Sequence, residues 1–347
     1  MESDTSWYPL SGLDIQDQRV VQALQIDGRA PFSRIGEVLG VSDQTVARRY
    51  GRLRSSGLLR VLGLLDPLRV GLTPWMVRVR CTPDAVASIG DALVRREETR
   101  WVNLMSGGTE ISFLAQPSAP GQDDALLLQK LPRTPRVVQM TAHAMLHVFF
   151  GQELSPVSRL GPLTPEQIAA LTPADAPPSR AVEEAAGGFS FDAEDRRLLE
   201  LLAVDGRTPA AELAAAVGWS ATTVRRRLAE LRSAGTLYYD LDLDEGALRW
   251  QFRAGLWLEV EPARVDEVGT ALADHPQVAF VCATTGTSNV YAAINCAGPA
   301  AFYRYLTGPV AALPGIRHTE TAPIHRVIKG PSPYLRPARN APQSARG

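Results

Sequence analysis

The sequence predicts an α+β protein built from two copies of one unit, each a three-helix domain followed by a βαββαβ sandwich. Three observations lead there. Residues 13–59 recur at 191–237 at a constant offset of 178, and 19 of the 47 paired positions are identical. With one inserted residue the correspondence continues at an offset of 179: Val86-x3-Gly90-x-Ala92-Leu93 meets Val265-x3-Gly269-x-Ala271-Leu272, and Gly107 meets Gly286. In each copy, apolar residues at helical spacing give way to strand-like alternation. A repeat this long sets the architecture before any local reading, and a unit of about 135 residues is domain-sized.

In the first copy Asp14 caps an opening helix whose Val20, Val21 and Leu24 form an apolar face. Asp27-Gly28-Arg29 ends it, with the glycine expected to supply a left-handed turn. Pro31 opens a second helix carrying Ile35, Val38 and Leu39, Gly40-Val41 turns the chain, and Ser42 caps a third helix. There Val46, Tyr50 and Leu53 fall at i, i+4 and i+7 and face inward. Gln44, Thr45, Arg48, Arg49 and Arg52 are displaced toward solvent. The second copy repeats the grammar with Asp192, Pro209, Gly218 and Ser220. Its inward residues are Val224, Leu228 and Leu231, which leaves Thr222, Thr223, Arg225, Arg226 and Arg227 outside.

Leu58–Leu65 and Thr236–Leu243 read as connecting strands. Beyond them come strands at Thr73–Cys81 and Gln251–Val260 and helices at Asp84–Arg96 and Ala263–Asp274. Strand pairs follow at Trp101–Met105 with Ile111–Gln116 and Val278–Thr284 with Val290–Cys296, bent at glycine turns. Short helices (Gln122–Leu131; Pro299–Leu306) lead to last strands at Arg136–Val148 and Ile316–Ile328. This order is a ferredoxin-like split βαβ, and its open sheet face needs a partner. The expected domains are 13–60 and 61–149, a Pro- and Gly-rich linker at 150–190 with a short helix at Pro165–Leu171, then 191–238 and 239–329. The tail 330–347 is expected to be disordered.

Composition narrows the function. No apolar run approaches the roughly 18–20 residues that cross a bilayer, and Met1-Glu2-Ser3-Asp4 lacks the plan of a signal peptide. A cytoplasmic, nucleoid-associated protein without membrane partners is expected. Cys81, Cys282 and Cys296 sit in apolar runs without metal spacing, so buried thiols and no metal or other cofactor are expected. Net charge is −1, but five arginines (48, 49, 52, 54, 60) crowd residues 43–60, and four (225, 226, 227, 232) crowd 220–235. Cationic charge acts where it meets phosphate, so local clusters outweigh the total. A short, capped, Arg-rich third helix is the form that enters a major groove, where Arg pairs with guanine and Gln with adenine. An ordinary solvated helix face is the bland alternative for one copy, and the second copy at the same spacing weighs against it. Both domains are therefore read as winged-type helix-turn-helix units for double-stranded DNA. Base reading falls to Gln44, Thr45, Arg48, Thr222, Thr223 and Arg226, and phosphate anchoring to Arg49, Arg52, Arg54, Arg225 and Arg227.

The chain resembles the Lrp/AsnC (leucine-responsive, feast/famine) regulators. The resemblance rests on Leu13-Asp14-x2-Asp17, Asp27-Gly28-Arg29, Val41-Ser42 and Arg52-Leu53-x3-Gly57, with Phe191-Asp192-x2-Asp195, Asp205-Gly206-Arg207 and Arg232-x2-Gly235 in the second copy. The glycine turns and Leu313-Pro314-Gly315-Ile316 add to it. It implies a bacterial-type transcription regulator whose sandwich is the RAM-type ligand and oligomerisation domain, here in tandem. It further implies a small-molecule effector, an amino acid or related metabolite, near Gly107, Gly108, Thr109 and Glu110 and near Gly286, Thr287, Ser288 and Asn289. The family's turn usually carries an acidic residue after the first glycine. Gly108 and Thr287 stand there instead, which weighs against a plain amino acid.

A flexible linker of about 40 residues spans roughly 35 Å, near the roughly 34 Å between half-sites one DNA turn apart. The chain is thus expected to form a pseudo-dimer within itself, sheet against sheet, and to assemble further as a homo-oligomer. Two rival readings remain. One is a sirohaem or haem-precursor decarboxylase of the same plan, which would use histidines such as His143, His147, His318 and His325. The other is a ligand sensor that no longer binds DNA.

Overall fold

The computed structural model describes residues 10, 13–117, 131, 133–151, 161–173, 191–244 and 252–334. In the first unit α1 (Ile15–Ile26), α2 (Phe32–Leu39) and α3 (Asp43–Ser55) form the head, closed by β1 (Leu59–Leu65). The caps fall where side-chain oxygens can take orphan amides: Asp14 accepts from Asp17 N and Ser42 from Thr45 N. Gly40 sits at φ +67°, where a Cβ would be strained, and it makes the α2–α3 turn. The first sandwich follows as β2 (Trp75–Cys81), α4 (Val86–Val94), β3 (Thr99–Met105), β4 (Glu110–Ala115) and β5 (Val137–Phe150). After α5 (Pro165–Leu171), the second head has α6 (Ala193–Val204), α7 (Ala210–Val217), α8 (Ala221–Ser233) and β6 (Leu237–Leu243). The second sandwich has β7 (Phe252–Val260), α9 (Val265–Asp274), β8 (Val278–Thr284), β9 (Val290–Cys296), α10 (Pro299–Tyr305) and β10 (Ile316–Lys329).

The two heads are one body. β1 and β6 pair antiparallel from Leu59↔Leu243 to Leu65↔Leu237. Under the 178 offset only the central pair, Leu62↔Asp240, maps onto itself, so the pseudo-dyad passes through it. Alternation gives this ribbon two faces. Leu59, Val61, Leu237, Tyr239 and Leu241 join a continuous apolar core with helices of both heads. The other face, with Arg60, Tyr238, Asp240 and Asp242, turns toward the sandwiches.

The sandwiches do more than stack. Their strands close an eight-stranded barrel in the order β10-β3-β4-β2-β5-β8-β9-β7. The long last strands make the closure: β5 lies on β2 through Ala144 and then crosses to β8, while β10 lies on β7 through Pro323 and then crosses to β3. The expected sheet-against-sheet pairing thus gains an exchange of edges, because strands of 14 residues outrun their own sheets. A closed barrel leaves no edge open to pairing.

Other expectations change in detail. Gly28 does not adopt a positive φ; it is small because a Cβ there would stand 2.7 Å from Tyr239 Cβ. The linker helix forms as α5, but residues 161–173 are docked rather than free: Leu163 N donates to Gln22, Gln167 to Val38 O and Arg34 to Ala170 O, with Leu171 fully buried. The tail begins ordered, since Ser332 is buried and Tyr334 packs against Leu62 and Leu64. The helix expected at Gln122–Leu131 lies outside the described residues apart from Leu131. Among the described residues no helix is long and apolar enough to cross a membrane.

Candidate nucleic-acid interface and effector turns

Each third helix buries the expected stripe: Val46, Tyr50 and Leu53 in α3, and Val224, Leu228 and Leu231 in α8. Gln44, Arg48, Thr222, Arg225 and Arg226 are exposed on the outer side. Arg226 makes a loose contact with Glu230 at 3.6 Å and stays 75 % exposed, so it remains available to an incoming anion. Thr45 and Thr223 each share a hydrogen bond with the capping serine, Ser42 at 2.9 Å and Ser220 at 2.8 Å.

The remaining expected phosphate contacts carry structural bonds. Arg49 reaches Asp14 and Asp17 at 2.7 Å, and Arg52 also bonds Asp17. In the second head Arg227 grips Asp195 at 2.6 Å and approaches Glu230. Both aspartates are 1 % exposed, so these pairs clamp the third helix of each head to its first. The Arg49 guanidinium holds the Asp14 carboxyl below its usual range, with smaller help from the Asp17 amide. Arg54 crosses to Asp205 at 2.6 Å, and its repeat mate Arg232 crosses to Asp27 at 2.9 Å.

Sequence reasoning missed the strongest joint. Arg29 donates to Gly206 O at 2.7 Å and Thr208 O at 3.1 Å; Arg207 donates to Gly28 O at 2.7 Å and Ala30 O at 3.1 Å. Arg207 also lies 4.3 Å over the Phe32 ring. Both Asp-Gly-Arg motifs were legible as repeated signals, but read as helix ends they gave no hint of a partner. The glycines let the chains cross: a Cβ on Gly206 would meet the Leu62–Gly63 backbone at 2.7–2.8 Å.

The glycine turns are closed by histidines from the opposite unit. Gly107 N donates to His325 Nε2 at 2.6 Å, and His143 Nδ1 meets Thr285 O at 2.7 Å while its ring fills the space beside Gly286. Glu110 is 2 % exposed; it accepts from Arg78 and from Ser106 Oγ at 3.0 Å. Arg78 continues to Glu320 at 2.8 and 3.0 Å and lies 3.9 Å over the Trp257 ring. These bonds hold its guanidinium charged despite burial and hold the Glu320 carboxyl below its usual range. In the second unit Asn289 bonds both ends of its amide to Val260 backbone. Gly108, Thr109, Thr287 and Ser288 remain at the turn surfaces.

Comparison with known proteins identifies the parts. An AsnC-type helix-turn-helix domain matches residues 13–54 and again 191–232, and an Lrp/AsnC ligand binding domain matches 253–333. The HTH-type transcriptional regulator FL11 of Pyrococcus horikoshii is 25 % identical over 132 residues, 38 % of this chain and 87 % of that protein. An uncharacterized HTH-type transcriptional regulator of the same organism is 29 % identical over 159 residues, 44 % of this chain and 93 % of its own. Both named relatives are archaeal, so they do not support the expected bacterial origin. Across nearly the whole chain the fold matches the crystal structure of the siroheme decarboxylase NirDL, with a TM-score of 0.62, 13 % identity and coverage of 92 % and 94 %. At that identity the likeness is one of fold.

Proposed function

This chain belongs to the Lrp/AsnC family, and from that premise we infer that it is a transcriptional regulator whose two unequal heads read one operator. The observation that carries the reading is the reciprocal joint. Arg29 and Arg207 tie each head to the other's backbone, and one ribbon carries both. Two recognition helices on one body suit two half-sites on one face of DNA.

In this reading Gln44, Thr45 and Arg48 read one half-site, and Thr222, Thr223 and Arg226 the other, so the operator is an imperfect palindrome. Arg225 and Arg52 meet phosphate. Arg49, Arg54 and Arg227 add positive potential while bound to their aspartates. A small-molecule effector acts through the barrel, and two chains together would present four heads.

Selection of bound fragments from sheared genomic DNA, followed by a salt titration, tests this. A recurrent site with two unequal halves about one turn apart and affinity falling steeply with salt is the expected outcome. Weak, sequence-blind binding would overturn it.

The decarboxylase reading is favoured by one observation, the whole-chain fold match to NirDL. The outward arginines of both heads weigh against it, since tetrapyrrole chemistry has no use for them. Absorbance changes on adding siroheme, with release of carbon dioxide, would establish it.

A further inference from the structure

The two heads differ in what covers them. In the first head the docked linker lies along the α1–α2 face. Leu163 N donates to Gln22 Oε1 at 2.8 Å, Gln167 Nε2 to Val38 O at 3.0 Å, and Arg34 to Ala170 O in the last turn of α5. Under this cover Gln22 and Leu171 are wholly buried.

The same face of the second head, 178 residues on, is open. Glu200 replaces Gln22, Glu212 replaces Arg34 and Ala216 replaces Val38, and all three are exposed. Val204, the mate of half-buried Ile26, is 53 % exposed. Arg197, Glu200 and Val204 stand at i, i+3 and i+7 of α6 and so share one side. Glu200 meets Arg197 in a surface pair, and the Glu212 carboxylate has no partner among the described residues. A lone exposed valine is ordinary. This one lies on a face whose duplicate the chain itself seals.

We propose that the chain's own C-terminal segment, residues 335–347, docks on this α6–α7 face as the linker docks on α1–α2. The segment lies outside the described residues, and the point where it starts is fixed. Ser332 is buried, and Tyr334 packs in one cluster with Ala203 of α6, the neighbour of Val204. The charges of Glu200 and Arg197 reach the Tyr334 hydroxyl. The chain is thus delivered to the edge of the open face. The offset of 179 sets Gly330 on Gly151, so the segment leaves β10 where the linker leaves β5. Its charge is complementary: it carries Arg336, Arg339 and Arg346 and no acid. In the first head the cation Arg34 takes a carbonyl of the linker; in the second the anion Glu212 stands there and takes a cation. Thirteen residues reach up to about 43 Å, well beyond the roughly 18 Å length of a helix like α6. Leu335 covers Val204, and the arginines meet Glu200 and Glu212. Docking braces α6 and α7, which share their core with α8. It stands whether or not the heads read DNA.

Amide hydrogen exchange on the full chain, read in peptides covering residues 197–217, tests it. A chain ended after Tyr334 is expected to exchange about threefold or more faster there, with the α1–α2 peptides unchanged as the internal control. Glu212→Arg is expected to act alike in the full-length chain, and since Glu212 is exposed the fold survives the change. Arg336→Glu with Arg339→Glu is expected to have the same effect. Combining these with Glu212→Arg restores protection, a rescue that a general loosening of the head would not give. Exchange at 197–217 unchanged by truncation would leave the face open to some other partner and overturn the proposal. So would a change confined to other peptides, or a failure of the swapped charges to rescue. Protection lost on dilution of the full chain would give the face to a second copy's segment and overturn it equally.

Discussion

Arg29 and Arg207 are equivalent by the repeat and make the same two bonds to opposite units, with matching distances of 2.7 and 3.1 Å. Arg78 and Trp257 are equally equivalent, yet one is a buried cation and the other the ring on which it rests. The joint between the heads has kept its partners in both copies, whereas the joint between the sandwiches, from Arg78 to Glu320 and Trp257, exists once. Duplication frees a surface only if the joint beneath it stays fixed, since a misfit there would cost both heads at once.

The clamps give the sharpest way to break this comparison. Arg227→Ala leaves Asp195, 1 % exposed, without its bidentate partner, and should cost about 3–5 kcal/mol in urea unfolding. Arg49→Ala leaves Asp17 still bonded to Arg52 and should cost about 1–3 kcal/mol. Equal losses would mean the two clamps are interchangeable and the difference in bonding is idle.

A second contrast lies at the barrel rim, where Lys329 stands at the position equivalent to Phe150. Burial pushes its ammonium down to about 7. The unfolded chain binds that proton more tightly, so the lysine's contribution to stability rises with pH from about 7 toward the normal 10.5. Lys329→Met should raise stability at pH 6–7 by about 1–3 kcal/mol and flatten that rise. An unchanged pH profile would sink the assignment.

DNA binding should separate the heads. Arg48→Ala should cost about 1–3 kcal/mol on the intact operator and nothing where its own half-site is scrambled; Arg226→Ala should do the same for the other half. If either variant responded to both half-sites, distinct reading heads would be ruled out. The smallest effect belongs to Arg225→Ala, expected to weaken all sequences alike and lower the salt slope by about one. A sequence-dependent loss would move it to the base-reading set.

Much of this was legible from local signals. Asp14, Ser42, Asp192 and Ser220 cap where their side chains allow, and the inward stripes follow from helical spacing. The four strands Val278–Thr284, Val290–Cys296, Trp75–Cys81 and Thr99–Met105 lie within a residue or two of expectation. What was not legible is long-range. Nothing near Arg29 announces Gly206, and no alternation in β5 says where it leaves β2 for β8. Glu110 read as an effector-turn residue because its neighbour Arg78, 32 residues away, is joined to it only by the fold.

The exchanged strands also order events at birth. β3 finds one neighbour in β4 at once, but its other neighbour is the end of β10, more than 200 residues later, and β1 must wait for β6. A nascent chain therefore carries an unsealed sheet until its last strand leaves the ribosome. The joints that make the mature protein one body make its first half a poor citizen while it waits. Contacts so distant in sequence form slowly, and open edges invite pairing with the wrong chain. Whatever shelters that edge during synthesis is as much a condition of this architecture as the arginines that lock it.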